Sequence, residues 1–191
     1  MRCFVQSAAI LAVGAAALMA GPRDAGATTV TWSGNNHRYD IIEVTGITWH
    51  DAYLAAKTFS AKSALVSITS AAENAFVMGL LLSTSADATW LGGVQHPLAP
   101  APDAGWFWAD GETWDYTNWA LGEPNDIVPG GEFFLEMNGA GEWNDIGPSY
   151  AEKRAYVVET VPLPAGMGLL LSALGLSAFC AGPAHGGPEI G

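Results

Sequence analysis

Ten carboxylates lie between Asp103 and Asp145, and no Lys or Arg stands between Ser63 and Glu152 to neutralise them. Unpaired carboxylates repel one another, and a hard cation among them relieves the repulsion; Ca2+ takes about six to eight oxygen ligands. Within the run, oxygen-bearing side chains recur in three short groups, Glu123-Pro124-Asn125, Gly131-Glu132 and Trp143-Asn144-Asp145. Taken singly each reads as a turn, and an acidic run is commonly a solvated face, so the residues alone leave both readings open. Other chemistries lack their parts. His37, His50 and His96 have no zinc-ligand spacing and are expected as surface or capping residues. No Ser-His-Asp, Cys-His or phosphate-loop pattern occurs. Paired carboxylates near tryptophans also describe glycosidases, which makes that the enzymatic alternative, but the expectation is a protein that is not an enzyme.

The elements that must position these groups are legible. Thr48-Trp49-His50-Asp51 and Ser70-Ala71-Ala72-Glu73 have capping-box spacing, and each predicts a helix of about 12 residues. Alternating and β-branched residues predict strands near Tyr39 to Val44, Ser63 to Ile68, Trp90 to Val94, Trp106 to Ala109, Phe133 to Met137 and Ala155 to Glu159. The segments His96 to Gly105 and Trp119 to Gly131 are rich in Pro, Ala, Gly, Asn and Asp and read as long loops. This order of elements predicts an α+β fold. Trp90, Trp106, Trp108, Trp114, Trp119 and Trp143 are expected in the core more than in a sugar-stacking platform.

At 191 residues and a formal net charge of -12, the chain suits one acidic domain. That sign argues against nucleic-acid or anionic-lipid partners. Met1 to Ala27 reads as a secretory signal peptide, an apolar run ending in the small-x-small Ala25-Gly26-Ala27; an uncleaved anchor is the alternative. The C-terminus turns apolar again, and Val161-Pro162-Leu163-Pro164-Ala165 resembles the head of a VPLPA-type PEP-CTERM sorting signal, which implies processing by a bacterial exosortase. Ala181 to Gly191 lacks the arginines that normally close such a tail. The domain is thus expected over residues 28–160, with a hydrophobic sorting segment over 161–191, in a protein exported to the surface or extracellular matrix and transiently associated with the inner membrane through its tail.

Several segments, in order, resemble the C-type lectins. They are Trp49-His50-Asp51-Ala52, Leu65-Val66-Ser67-Ile68, Glu73-Asn74-Ala75-Phe76-Val77, Trp90-Leu91-Gly92-Gly93, Phe107-Trp108-Ala109-Asp110-Gly111, the three oxygen-rich groups above, and Tyr156-Val157-Val158-Glu159. The resemblance implies a C-type-lectin-like fold with two helices, short antiparallel sheets and a long calcium-binding loop region. It implies one Ca2+ held by Glu123, Asn125, Glu132, Asn144 and Asp145, and a cis Glu123-Pro124 bond. It also implies carbohydrate binding through the same five residues, of the mannose, glucose, fucose or N-acetylglucosamine type; a single such contact is small and weak, so a homo-oligomer is expected to supply avidity. A calcium-stabilised protein-binding or structural module is the other reading. Phe133 stands where members with further calcium sites often carry an acid. The family's usual cysteines would fall near Ala56, Phe134, Pro148 and Val158, all apolar here, and no cysteine lies between Cys3 and Cys180. Packing must therefore offset about 2 to 4 kcal/mol per missing disulfide. The melting temperature of residues 28–160 should accordingly be the same with and without reductant, checked by paired thermal melts.

Overall fold

The computed structural model describes residues 28–128, 130–147 and 153–162. The expected signal peptide and the sorting segment beyond Pro162 lie outside the described residues, as does Pro148.

Both helices begin where a hydroxyl satisfies a free amide. Thr48 sits in extended conformation and its Oγ1 accepts from the Asp51 amide at 3.1 Å, opening α1 (Trp49–Thr58). Ser70 does the same for the Glu73 amide at 3.2 Å and opens α2 (Ala71–Leu81). The carboxylates three residues on are used differently from a capping box. Asp51 accepts from the Thr48 hydroxyl, whereas Glu73 accepts from the amide and hydroxyl of Thr69 at 2.9 and 3.0 Å and from Tyr39 at 2.6 Å. α1 buries Trp49, Ala52 and Ala56, one face at helical spacing.

The strands are β1 (Thr28–Thr31), β2 (Arg38–Thr45), β3 (Ser63–Leu65), β4 (Ala88–Gln95), β5 (Trp106–Trp108), β6 (Phe134–Asn138), β7 (Trp143–Ile146) and β8 (Lys153–Thr160). The α+β class is as expected. The antiparallel ladders are not separate sheets: they join in the order β1-β2-β8-β4-β6-β7, with β3 on β8 and β5 on β4, through one parallel pairing of β4 with β8. Strands β1 and β7 were not foreseen. β1 adjoins the expected cleavage boundary, and Trp143-Asn144-Asp145 reads as loop until it is seen paired with β6 in a hairpin.

β8 shows how the core is divided. Ala155 and Val157 enter a cluster with Leu135, Met137, Trp143 and the α2 residues Val77, Leu80 and Leu81; Tyr156 and Val158 enter another with Trp49, Trp90 and Phe134. A strand covered on both faces buries alternate residues in different layers. Three positions of the missing cysteines, Ala56, Phe134 and Val158, belong to the second cluster, where Trp49 stacks on Phe134 at 4.8 Å. Of the six tryptophans expected in the core, Trp90, Trp108 and Trp143 are fully buried, Trp106 is nearly so, and Trp114 and Trp119 are half-buried against the cluster. His37 is more than a surface residue, since its Nδ1 meets Glu159 at 2.6 Å, while His50 and His96 are exposed.

Gly92 sits where β4 passes under the β3 segment, and its amide donates to the Val66 carbonyl at 2.8 Å. A Cβ there would meet the Leu65 carbonyl oxygen at 2.8 Å and that of Val66 at 3.1 Å. Gly92→Ala should therefore cost about 1–3 kcal/mol, an overpacking penalty against backbone that cannot step aside, measured by urea denaturation.

Candidate functional site

The loop from Trp119 to Gly131 is fastened to β7 along its length. The Trp143 amide donates to the Asn118 carbonyl and the Ala120 amide to the Trp143 carbonyl, both at 2.8 Å. Further along, the buried Asp145 carboxylate accepts from the amides of Asn125 at 3.0 Å and Asp126 at 2.9 Å, one on each oxygen. The loop then closes on itself. Asn125 Oδ1 and Glu132 Oε2 both accept from the Ile127 amide, at 3.0 and 2.9 Å, and Asp126 Oδ1 accepts from the Glu132 amide at 2.9 Å. Asp126 holds φ at 49°, a left-handed conformation that Asp tolerates better than most residues. The Glu123-Pro124 bond is cis.

Four of the five expected residues are thus drawn together. Glu123, Glu132 and Asp145 are close enough to act on one another's charge. The Glu123 carboxyl is pushed up to about 7 by burial first, and further by the neighbouring carboxyl groups of Asp145 and Glu132. Burial also raises Glu132, with the Ile127 amide pulling the other way and Asp145 adding to the rise. Glu123 Oε2 is buried without a hydrogen-bond partner. Asn144 stands apart: its amide nitrogen donates to Glu136 Oε1 at 3.2 Å instead of joining the loop. Asn144 and Asp145 lie on the strand β7 and not in the loop that carries Glu123 and Asn125.

A divalent cation suits this donor chemistry, with three carboxylates and two carboxamides supplying only hard oxygens. Among the described residues, however, no three His, Cys, Asp or Glu side chains converge on one point. The reason is visible in the hydrogen bonds. Glu132 and Asp145 are turned to the backbone amides of Ile127, Asn125 and Asp126. Sequence reasoning passed over Asp126, whose only signal is its position between Asn125 and a Gly-rich stretch, and over Glu136, a charge inside the apolar Phe134-Leu135-Glu136-Met137 run.

Two helices on a mixed sheet, with a long loop fastened to the edge strand β7, define the C-type-lectin-like class of fold. The chain belongs to the Lectin C-type domain family, whose profile matches residues 45–157. It is similar to ladderlectin of Oncorhynchus mykiss, with 37% identity over 43% of each chain. It is also similar to lithostathine-1-alpha of Homo sapiens, with 31% identity over 52% of this chain and 58% of that protein. The chain thus spans about half the length of the curated relatives it matches. Among solved structures, the cow carbohydrate-recognition domain of CD23, determined in the presence of GlcNAc2Man3 oligosaccharide, aligns with a TM-score of 0.56 and 27% identity, covering 67% of this chain and 90% of that one. A calcium-independent type II antifreeze protein aligns with a TM-score of 0.55 and 25% identity over 74% and 96%.

Asp145→Ala should take the acceptor from the part-buried amides of Asn125 and Asp126 and release the loop from β7. We expect a loss of about 1–3 kcal/mol in chelator, and faster hydrogen exchange at the amides of Asn125 and Asp126.

Proposed function

We propose that the protein binds carbohydrate through one Ca2+ held by Glu123, Asn125, Glu132, Asn144 and Asp145, with preference for sugars of the mannose, glucose, fucose or N-acetylglucosamine type. The observation that carries this reading is the unpartnered, buried Oε2 of Glu123 beside the carboxylates of Asp145 and Glu132, an arrangement of like charge that a dication would stabilise. When bound, the cation supplies positive charge and open coordination positions for two vicinal hydroxyls. The chain's own side chains do the rest. The carboxylates of Glu123 and Glu132 accept hydroxyl protons, and the carboxamides of Asn125 and Asn144 donate to hydroxyl lone pairs. Such a contact is small and solvent-exposed, so affinity for a single sugar is on the order of millimolar, and homo-oligomers would raise it by multivalency. The protein is read as a binding protein without catalytic activity.

Domain limits and export belong to the same proposal: a signal peptide over residues 1–27, the lectin domain over 28–160, and a C-terminal segment over 161–191 that is processed in the manner of a PEP-CTERM tail by an exosortase, leaving the domain secreted or at the surface. Among the described residues no helix is long and apolar enough to cross a membrane.

A second reading has its own support in the calcium-independent antifreeze protein of similar fold. Under it, the domain is a protein-binding or structural module of the surface or matrix.

One experiment separates the two. Wild-type protein should melt higher in millimolar calcium than in chelator, since ligand bound only to the folded state adds RT ln(1 + [L]/Kd), and should be retained on mannose resin until chelator is added. The double variant Glu123→Gln and Asn125→Asp reverses donor and acceptor while keeping the oxygen count and total charge. It should bind calcium within about tenfold of wild type but lose mannose. Mannose retention unchanged in the variant would place the sugar elsewhere, and no calcium effect on wild type would favour the second reading.

A further inference from the structure

Glu136 and Arg154 lie outside the expected ligand set, yet they form a buried ion pair directly behind one of its members. In the β6–β7 ladder Glu136 is the cross-strand partner of Asn144, and in the β4–β6 ladder it is the partner of Trp90. Its Oε1 accepts from Asn144 Nδ2 at 3.2 Å, and its Oε2 is paired with Nη1 of Arg154. The guanidinium lies 4.8 Å over the Trp90 ring, in a residue 1% exposed. Removing two charges from water is expensive, and apolar residues of similar volume commonly serve stability as well or better. A role in the site accounts for keeping them.

The two ends of a carboxamide are nearly equal in size and opposite in chemistry: nitrogen donates, oxygen accepts, and only oxygen ligates a hard cation. A fixed acceptor opposite the nitrogen decides which end is presented. Glu136 can serve as that acceptor because Arg154 stands on its other oxygen and leaves Oε1 turned to Asn144. We propose that the Arg154–Glu136 pair is a positioning device for Asn144, holding the carboxamide by its nitrogen and so reserving its carbonyl oxygen for the cation. This deepens the calcium reading above and rests on it. Partners standing one step behind metal ligands typically alter metal affinity by about 10–100-fold when removed.

The test compares two double variants of the whole protein. Glu136→Leu with Arg154→Leu removes both charges and the acceptor. Glu136→Gln with Arg154→Leu removes the charges but keeps a carbonyl that Asn144 can reach. Both should melt within a few degrees of wild type in chelator. By calorimetric titration the Leu/Leu variant should bind calcium at least about tenfold more weakly than wild type, and the Gln/Leu variant within about threefold. In wild type, the Asn144 side-chain amide protons should show slow exchange by NMR both with and without calcium. Equal calcium affinity in wild type and Leu/Leu, a Gln/Leu variant no better than Leu/Leu, or a freely exchanging Asn144 amide in wild type would each overturn the proposal. The NMR measurement decides even where a variant does not fold. Wild-type protein with no calcium-dependent stabilisation would instead remove the underlying reading and the device with it, a result distinct from a wild type that binds calcium no better than Leu/Leu.

Discussion

The Asp145 carboxylate, 1% exposed, accepts one backbone amide on each oxygen and so fastens the loop around Pro124 to the last strand of the sheet. Everything proposed for the site depends on that fastening. Without it, Asn125 and Glu123 would belong to a long segment free to drift; with it, they are registered against β7 and hence against β6, β4 and β8 behind it. The same residue is also an expected ligand of the cation. Each carboxylate oxygen has a second lone pair, so holding an amide and holding a metal are compatible, and the loop is set in advance close to its working arrangement.

How much of this was readable in advance follows from which interactions are local. The helices were, because a hydroxyl cap and the amide it serves lie three residues apart at Thr48 and Ser70. The central strands were, because alternation around Trp90 and Val157 is itself a sequence property. β7 was not, since Trp143-Asn144-Asp145-Ile146 is too short and too polar to announce a strand and becomes one only by pairing with Phe134 to Met137. The site divides in the same way. Residue types and order pointed to the five oxygen donors, whereas the turning of Asn144 toward Glu136 depends on a cross-strand register that no spacing discloses. The network joining Tyr39, Glu73, Glu159 and His37 was equally hidden, because its members are brought together from β2, α2 and β8 and the turn before β2.

Membership of the family is secure in the fold and leaves the ligand to the site. Solved relatives of comparable similarity include one determined with an oligosaccharide present and one described as calcium-independent. The difference between such outcomes must therefore lie in a few oxygen-bearing side chains, not in the scaffold that presents them. In this chain those side chains have no neighbouring Lys or Arg in sequence to compete for them.

The tryptophans beneath β7 have an optical consequence. The Trp143 ring lies 5.7 Å from Trp108, 5.8 Å from Trp114 and 5.9 Å from Trp119, with Tyr116 at 5.6 Å. Rings this close exchange excitation energy far faster than they emit, so light absorbed anywhere in the group is shared before it leaves. Trp143 immediately precedes Asn144 and Asp145, and its backbone holds the start of the proline loop. The intrinsic emission of the whole cluster is therefore coupled to the state of one short strand, and the domain carries its own fluorescent reporter, with no dye attached.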